Sequence, residues 1–132
     1  MDAPTPDIRL LDQARVAGGV GPAHVMTVSM TLEPGSPGSP PHRHSGPVFG
    51  YLLEGELVFE LEGEPERIIR TGEAFWEPGG DLIHYQAANH LAEAPTTFIA
   101  VMICAPGEEM MTFVSEQELA ERAHLRHPRS GG

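Results

Sequence analysis

The stretch "SPPHRHSGPVFGYLLEGEL", residues 39–57, places two histidines one residue apart after a loop rich in proline and glycine. In a β-strand, residues i and i+2 point to the same face and lie about 7 Å apart. His42 and His44 are therefore predicted to direct their imidazoles the same way. Two neutral imidazoles on one face can chelate a single metal ion. The pair alone is a weak signal and is more simply explained by two histidines on an exposed polar strand, because seven histidines in the chain make a chance pair easy.

The sequence around this stretch alternates between apolar and polar residues, as half-buried strands do. In "HVMTVSMTL" (24–32), one parity holds His24 and four apolar residues, and the other holds Thr27, Ser29 and Thr31; the four are Met26, Val28, Met30 and Leu32. "VFGYLLE" and "ELVFELE" flank Gly55 and predict a β-hairpin there. About eight or nine short strands separated by turn residues predict an all-β fold, an antiparallel sandwich or barrel.

The segment "SEQELAERAHL" near the end of the chain is typical of a helix. Ser115 and Glu118 have capping-box spacing, so we expect one short helix over about 116–125 and a loose tail over 126–132. The whole chain, 1–132, is predicted to form a single domain with its barrel core over about 23–105.

Composition limits the classes of partner. The net charge of −11 opposes binding to nucleic acid or to an anionic membrane surface. No apolar stretch approaches the roughly 18 residues of a membrane span, and the N-terminus has no signal-peptide features. The single cysteine, Cys104, excludes an internal disulfide. These features indicate a cytoplasmic protein that acts on a small molecule.

Two segments resemble the two motifs of the cupin superfamily. The first motif reads His-x-His, three or four residues, Glu, six residues, Gly. "HRHSGPVFGYLLEG" (42–55) matches it at both histidines and at Gly55, whereas Val48 takes the place of the glutamate.

The second motif reads Gly, five residues, Pro-x-Gly, two residues, His, three residues, Asn. "GEAFWEPGGDLIHYQAAN" (72–89) matches it at Gly72, Pro78 and Gly80, and His84 and Asn89 each come one residue late. The resemblance covers roughly residues 26–104. It implies a single cupin barrel (double-stranded β-helix or jelly roll) and, as the usual assembly, a homodimer.

The resemblance also implies a metal site formed by His42, His44 and His84. Because valine replaces the glutamate, we expect no carboxylate at the site, so that three neutral ligands would leave a divalent ion with its full +2 charge. A barrel that has lost its metal is the alternative. The expected substrate pocket is lined by Val48, Gly50, Leu52, Trp76, Gln86 and Met102.

Three classes of function remain open at this stage. The first is an oxygenase that uses Fe²⁺, Mn²⁺ or Ni²⁺ on a chelating, largely apolar diketone-, flavonol- or polyketide-like molecule. The second is a non-redox cyclase, isomerase or lyase that uses Zn²⁺ or a similar ion. The third is a small-molecule-binding module without catalysis.

Overall fold

A computed structural model describes residues 6–18 and 21–128 of the chain. The elements of this part are, in order, β1 (Asp7–Gly18), β2 (Gly21–Leu32), β3 (His42–His44), β4 (Val48–Glu54), β5 (Glu56–Leu61), β6 (Arg67–Arg70), β7 (Ala74–Glu77), β8 (His84–Asn89), β9 (Thr96–Cys104), β10 (Met111–Phe113), α1 (Glu116–Glu121) and a 3₁₀ turn, Ala123–Leu125.

The strands form two five-stranded antiparallel sheets, with orders β1-β2-β9-β4-β7 and β10-β3-β8-β5-β6. The predicted all-β architecture is therefore confirmed. The sheets extend beyond the predicted core of 23–105, because β1 pairs with β2 and β10 pairs with β3. The pairing of β10 with β3 matters for function, because β3 carries two of the candidate ligands.

The hairpin predicted at Gly55 is wrong. β4 and β5 are consecutive in the chain but belong to opposite sheets, so Gly55 marks the point where the backbone passes between the sheets. Gly55 has φ +88°, a conformation that favours glycine. A Cβ there would meet the Thr96 hydroxyl at 2.2 Å. Alternation predicted which side chains face inward, but it could not say that the two strands pair with different partners.

The core lies between the two sheets. Leu32 and Leu52 come from one sheet, and Leu57 and Phe59 from the other, and all four side chains are fully buried or nearly so. Burying each of these side chains stabilises the fold by about 1.5–3 kcal/mol. Burial alternates along β4 and over most of β9, as expected for strands with one face toward the core, although both sequences are almost entirely apolar.

The C-terminal helix lies where the sequence predicted it. It begins after Ser115, whose hydroxyl oxygen accepts a hydrogen bond from the Glu118 N–H at 3.2 Å. The prediction of a loose tail is wrong for Arg126, which donates two hydrogen bonds of 2.7 Å to Glu60. Residues 129–132 lie outside the described part. No helix among the described residues has the length and apolar character needed to cross a membrane.

Candidate metal centre

Three buried histidines converge at one end of the barrel interior. His42 and His44 lie on β3, where alternation turns both side chains inward. His84 is the first residue of β8 and pairs directly with His42 across the sheet. One nitrogen of each ring lies within 4.8 Å of the others, and the cluster is the one metal-binding candidate found within residues 6–18 and 21–128.

Backbone carbonyls orient the rings of His42 and His44. His42 Nδ1 lies 2.9 Å from the Pro40 carbonyl oxygen, and His44 Nδ1 lies 3.2 Å from that of Met110. A carbonyl can only accept, so each Nδ1 carries the proton and each Nε2 has a lone pair. These two Nε2 atoms lie 3.1 Å apart. Two lone pairs facing each other repel unless a cation lies beside them.

A proton is a poor candidate for that cation. Burial, aided by the neighbouring His84, lowers the pKa of His42 to about 4. Burial also lowers the pKa of His44. Both rings are therefore neutral near pH 7, the form in which imidazole binds metals.

His84 directs its other nitrogen at the same centre. Its Nε2 donates to the Gln86 carbonyl at 2.8 Å, which leaves the lone pair on Nδ1. Nδ1 is fully buried and makes no hydrogen bond of acceptable geometry, although it lies 3.1 Å from Glu77 Oε2. A buried nitrogen without a hydrogen bond is costly unless another partner, such as a metal ion, takes its lone pair.

Glu77 supplies a carboxylate that the sequence analysis missed. Its side chain is 2% exposed, and Oε2 lies 3.8 Å from His44 Nε2. Burial tends to raise the pKa of Glu77. The contact with His84 and electrostatic attraction to the three imidazoles outweigh burial, so that the pKa is lowered. Glu77 is therefore an ionised carboxylate beside imidazoles, an environment that a bound cation would complete.

The expectation of a site without a carboxylate is therefore wrong. Val48 stands at the family's glutamate position and lines the pocket, but Glu77 lies directly opposite it on β7. The site therefore takes its carboxylate from β7, whereas the family motif places it on β4. With Glu77 ionised, a divalent ion at this site would have a net charge of +1 rather than the expected +2.

These groups fit a divalent ion. Nitrogens bound to one ion at about 2.0–2.2 Å can be no more than about 4.4 Å apart. The 3.1 Å between the Nε2 atoms of His42 and His44 meets this limit, and the 4.8 Å within which all three ligand nitrogens lie comes down to it with a shift of about 0.4 Å. Three imidazoles and one carboxylate suit Fe²⁺, Mn²⁺, Ni²⁺ and Zn²⁺. The arrangement does not select among them.

An apolar cavity of about 190 Å³ opens over the histidines. Apart from the three histidines and Glu77, it is lined by Ile8, Met26, Val28, Met30, Ser39, Val48, Leu57, Phe75, Ala87, Phe98, Ala100, Met102, Met110 and Met111. Val48 and Met102 lie there as the sequence predicted. Apart from the three histidines and Glu77, Ser39 is the one polar side chain among the described residues that line the cavity.

Two predicted pocket residues, Gly50 and Leu52, face the interior but do not line the cavity. Gly50 faces inward, but the Phe75 ring covers it, and a Cβ on Gly50 would lie 2.0 Å from that ring. Leu52 is fully buried in the core next to Phe98 and does not reach the cavity.

Two others are on the outside of the barrel. Trp76 is 54% exposed and stacks on Phe49. It lies outside because Phe75 and Glu77 occupy the inward face of β7 and Trp76 is on the opposite face. Gln86 donates to Glu60 at 2.7 Å on the outer face. Its parity was misjudged because the β5–β8 register shifts at Tyr85, which reverses the alternation after His84.

Comparison with known proteins agrees with this architecture. A family profile described as "Cupin domain" matches residues 28–104. A solved protein from Klebsiella pneumoniae with a double-stranded β-helix domain is 16% identical, with TM-score 0.61, over 85% of this chain and 86% of that one. A cupin domain from Bordetella pertussis is 22% identical, with TM-score 0.57, over 80% and 99%.

An oxalate oxidase solved with the substrate analogue glycolate is 23% identical, with TM-score 0.60, over 83% of this chain and 55% of that one. At these identities the likeness establishes the fold alone. No curated protein matches the chain.

Proposed function

The chain belongs to the cupin family, and we propose that it is a metal-dependent enzyme in which His42, His44, His84 and Glu77 hold one divalent ion. The observation that carries the proposal is the pair of unprotonated Nε2 atoms 3.1 Å apart beside a buried carboxylate. In the absence of a cation this arrangement combines lone-pair repulsion with the cost of burying a charge. Metal binding relieves both.

A bound divalent ion would act as a Lewis acid that polarises a coordinated oxygen. With Glu77 ionised, the net charge of the site is +1, so a substrate that binds as a monoanion leaves the buried centre neutral. A molecule with two oxygens and one exchangeable proton, such as a β-diketone, meets this requirement as its enolate. The lining side chains supply apolar contact around the rest of the molecule.

The size of the cavity favours the smaller members of this class. An apolar cavity of about 150 Å³ holds a benzene molecule, and the cavity here has about 190 Å³. It therefore suits a short-chain diketone or a single ring. A three-ring flavonol or an extended polyketide would need the wall to move. The thioethers of Met26, Met102 and Met110 are the most adaptable part of that wall.

A small dicarboxylate such as oxalate suits this cavity less well. A dianion bound to a +1 centre would leave a net negative charge in an apolar space. Among the described residues that line the cavity there is no arginine or lysine to offset it. The fold that this chain shares with an oxalate oxidase is therefore no argument for oxalate as its substrate.

We propose oxygenase activity as the first function, and a non-redox cyclase, isomerase or lyase as the second. The second is favoured by Glu77, which borders the cavity as a buried carboxylate and could accept a proton from an activated carbon acid. In the first function Glu77 is a ligand or holds one in place.

Oxygen consumption separates the two functions. Metal-free protein should be loaded in turn with Fe²⁺, Mn²⁺, Ni²⁺ or Zn²⁺ and incubated with pentane-2,4-dione. Oxygen uptake that needs both metal and diketone supports the oxygenase. Proton exchange at the central carbon without oxygen uptake supports the non-redox function. Full activity of verified metal-free protein would contradict both.

A variant that blocks the cavity checks where the diketone binds. Ala100→Leu places added bulk inside the cavity, whereas Val101→Leu changes the opposite face of the same strand. We expect Ala100→Leu to retain the metal and lose diketone binding, and Val101→Leu to retain both. Equal diketone affinity in the two variants would place the substrate elsewhere.

A further inference from the structure

The strand that carries two of the ligands pairs along its full length with β10, but it is held weakly to β8, the strand that carries the third ligand. β3 has three residues, and its ladder with β8 consists of the single pair His42–His84. Backbone bonding adds one further tie, from the Gly80 N–H to the His44 carbonyl at 2.7 Å. Metal binding requires His42 and His44 to keep a fixed position relative to His84, and the direct link between β3 and β8 is short, so contacts outside the ladder can add to this restraint.

Arg43 lies between the two ligand histidines and points to the opposite face of the sheet, toward α1. Its Nη1 donates to Glu118 Oε1 at 3.0 Å, and Nη2 contacts Glu118 Oε2, which makes the pair bidentate. Its Nε donates to the Asp81 carbonyl at 2.9 Å. Arg43 thus connects β3 to the helix and to the loop that leads, three residues later, to His84.

Arg122, at the end of α1, connects the helix to the other ligand-bearing strand. Its Nη1 donates to Asp81 Oδ2 at 2.8 Å, and its Nε donates to Glu62 Oε2 at 3.0 Å. Glu62 follows β5, and its backbone N–H donates to the Ile83 carbonyl at 2.9 Å, next to His84. Through Glu118 the helix is therefore tied to β3, which carries His42 and His44, and through Arg122 it is tied to the backbone next to His84.

We propose that Arg43, Glu118 and Arg122 form a clamp on the outer face of the sheet that positions β3 against His84 and so sets the affinity for metal. Arg43 and Arg122 are each about four-fifths buried, so water screens the clamp less than an exposed pair. Arginine suits this role because its planar guanidinium bonds two oxygens at once in a fixed orientation. The three are positioning residues and do not touch the ion. The inference rests on the proposed metal site.

The test measures Co²⁺ binding by chelator competition and the visible spectrum of bound Co²⁺, which reports ligand geometry. Arg43→Lys keeps the positive charge but loses the bidentate contact, and Glu118→Gln removes one charge. Glu121→Gln is the matched control, because Glu121 lies on the same helix and its carboxylate bonds only to exposed Gln117 among the contacts found. We expect Arg43→Lys and Glu118→Gln each to raise the Co²⁺ Kd about 10- to 100-fold, as loss of a ligand-supporting contact does.

Three further results make the proposal falsifiable. The spectrum of bound Co²⁺ should change in Arg43→Lys but not in Glu121→Gln. The double variant Arg43→Lys/Glu118→Gln should bind Co²⁺ about as well as either single variant, because both changes break one contact. The melting temperature of metal-free protein should change by a similar small amount in Glu118→Gln and in Glu121→Gln.

An unchanged Kd and spectrum in Arg43→Lys would overturn the clamp while leaving the metal site intact. A rise in Kd that only follows a general loss of thermal stability would overturn it too. Failure of wild-type protein to bind Co²⁺ would overturn the metal site itself, so the two failures are distinguishable.

Discussion

Replacing Glu77 by glutamine tests the electrostatics of the centre. Glu77→Gln keeps the shape of the side chain and one carbonyl oxygen but removes the buried negative charge. Glu77 Oε2 lies 3.1 Å and 3.8 Å from two of the proposed ligand nitrogens. A separation of about 4 Å from the ion gives a lower limit for the interaction, because direct ligation would bring the oxygen to about 2.0–2.2 Å. At an effective dielectric constant of about 20, two unit charges about 4 Å apart interact by about 4 kcal/mol, and a divalent ion doubles this.

The remaining amide oxygen, together with the desolvation cost that the buried charge no longer incurs, offsets about half of this roughly 8 kcal/mol. We therefore expect Glu77→Gln to weaken metal binding by about 3–4 kcal/mol, or roughly 10²- to 10³-fold in Kd. The assay is competition between the protein and a chromophoric chelator for Zn²⁺ at pH 7. Glu54→Gln, which removes an exposed carboxylate at the end of β4, is the matched control and should bind as the wild type does. A Kd within a factor of about three of the wild type in Glu77→Gln would refute the reasoning.

Four other predictions follow from the structure. Replacing His42, His44 or His84 by alanine should abolish stoichiometric metal binding in elemental analysis, whereas His24→Ala and His90→Ala should retain it, and the reverse pattern would show a different ligand set. Val48→Glu should tighten metal binding but weaken activity, because a second carboxylate facing Glu77 stabilises the cation and occupies a position that substrate could use; unchanged affinity would mean that residue 48 does not reach the ion. Metal-free protein should lose about 3 kcal/mol of stability between pH 7 and pH 4 in urea titrations, because the unfolded chain binds a proton at the usual His42 pKa of 6.5 and the folded chain only near 4, and a flat profile would contradict the burial of that ring. Light scattering should give twice the mass of the chain, as the family resemblance implies, and the mass of one chain would contradict the homodimer.

The convergence of His42 and His44 was predictable because it depends on local spacing. His42 and His44 are separated by one residue, so a strand turns both the same way whatever the rest of the fold does. The alternation of β2 likewise predicted that Met26, Val28 and Met30 would face the interior, where the structure places them on the cavity wall. His84 came only from its place in the second motif.

Glu77 was missed although a signal existed. In "AFWE", Phe75 and Glu77 share one face and Trp76 the other, and the sequence does not say which face is inward. Hydrophobicity favoured Trp76, but the cavity takes Phe75 and leaves Trp76 outside to stack on Phe49. A glutamate on the face of a buried phenylalanine, just before the second motif's proline, was the available clue.

Long-range pairing accounts for the other errors. The register shift at Tyr85 reverses the alternation within β8, and the residues of β8 contain no signal that predicts it. β10 has only three residues and exists because β3 offers it an edge. The contacts of Arg43 with Glu118 join residues 75 positions apart, so they could be found only once the sheet and the helix were placed together.

The most direct test of the account is the metal content of the protein after it is exposed to each candidate ion and dialysed. Wild-type protein should retain one Fe²⁺, Mn²⁺, Ni²⁺ or Zn²⁺ per chain by elemental analysis, and His44→Ala treated in the same way should retain none. Wild-type protein that retains none of the four ions, or His44→Ala that retains as much as the wild type, would contradict the claim that these histidines form a metal centre.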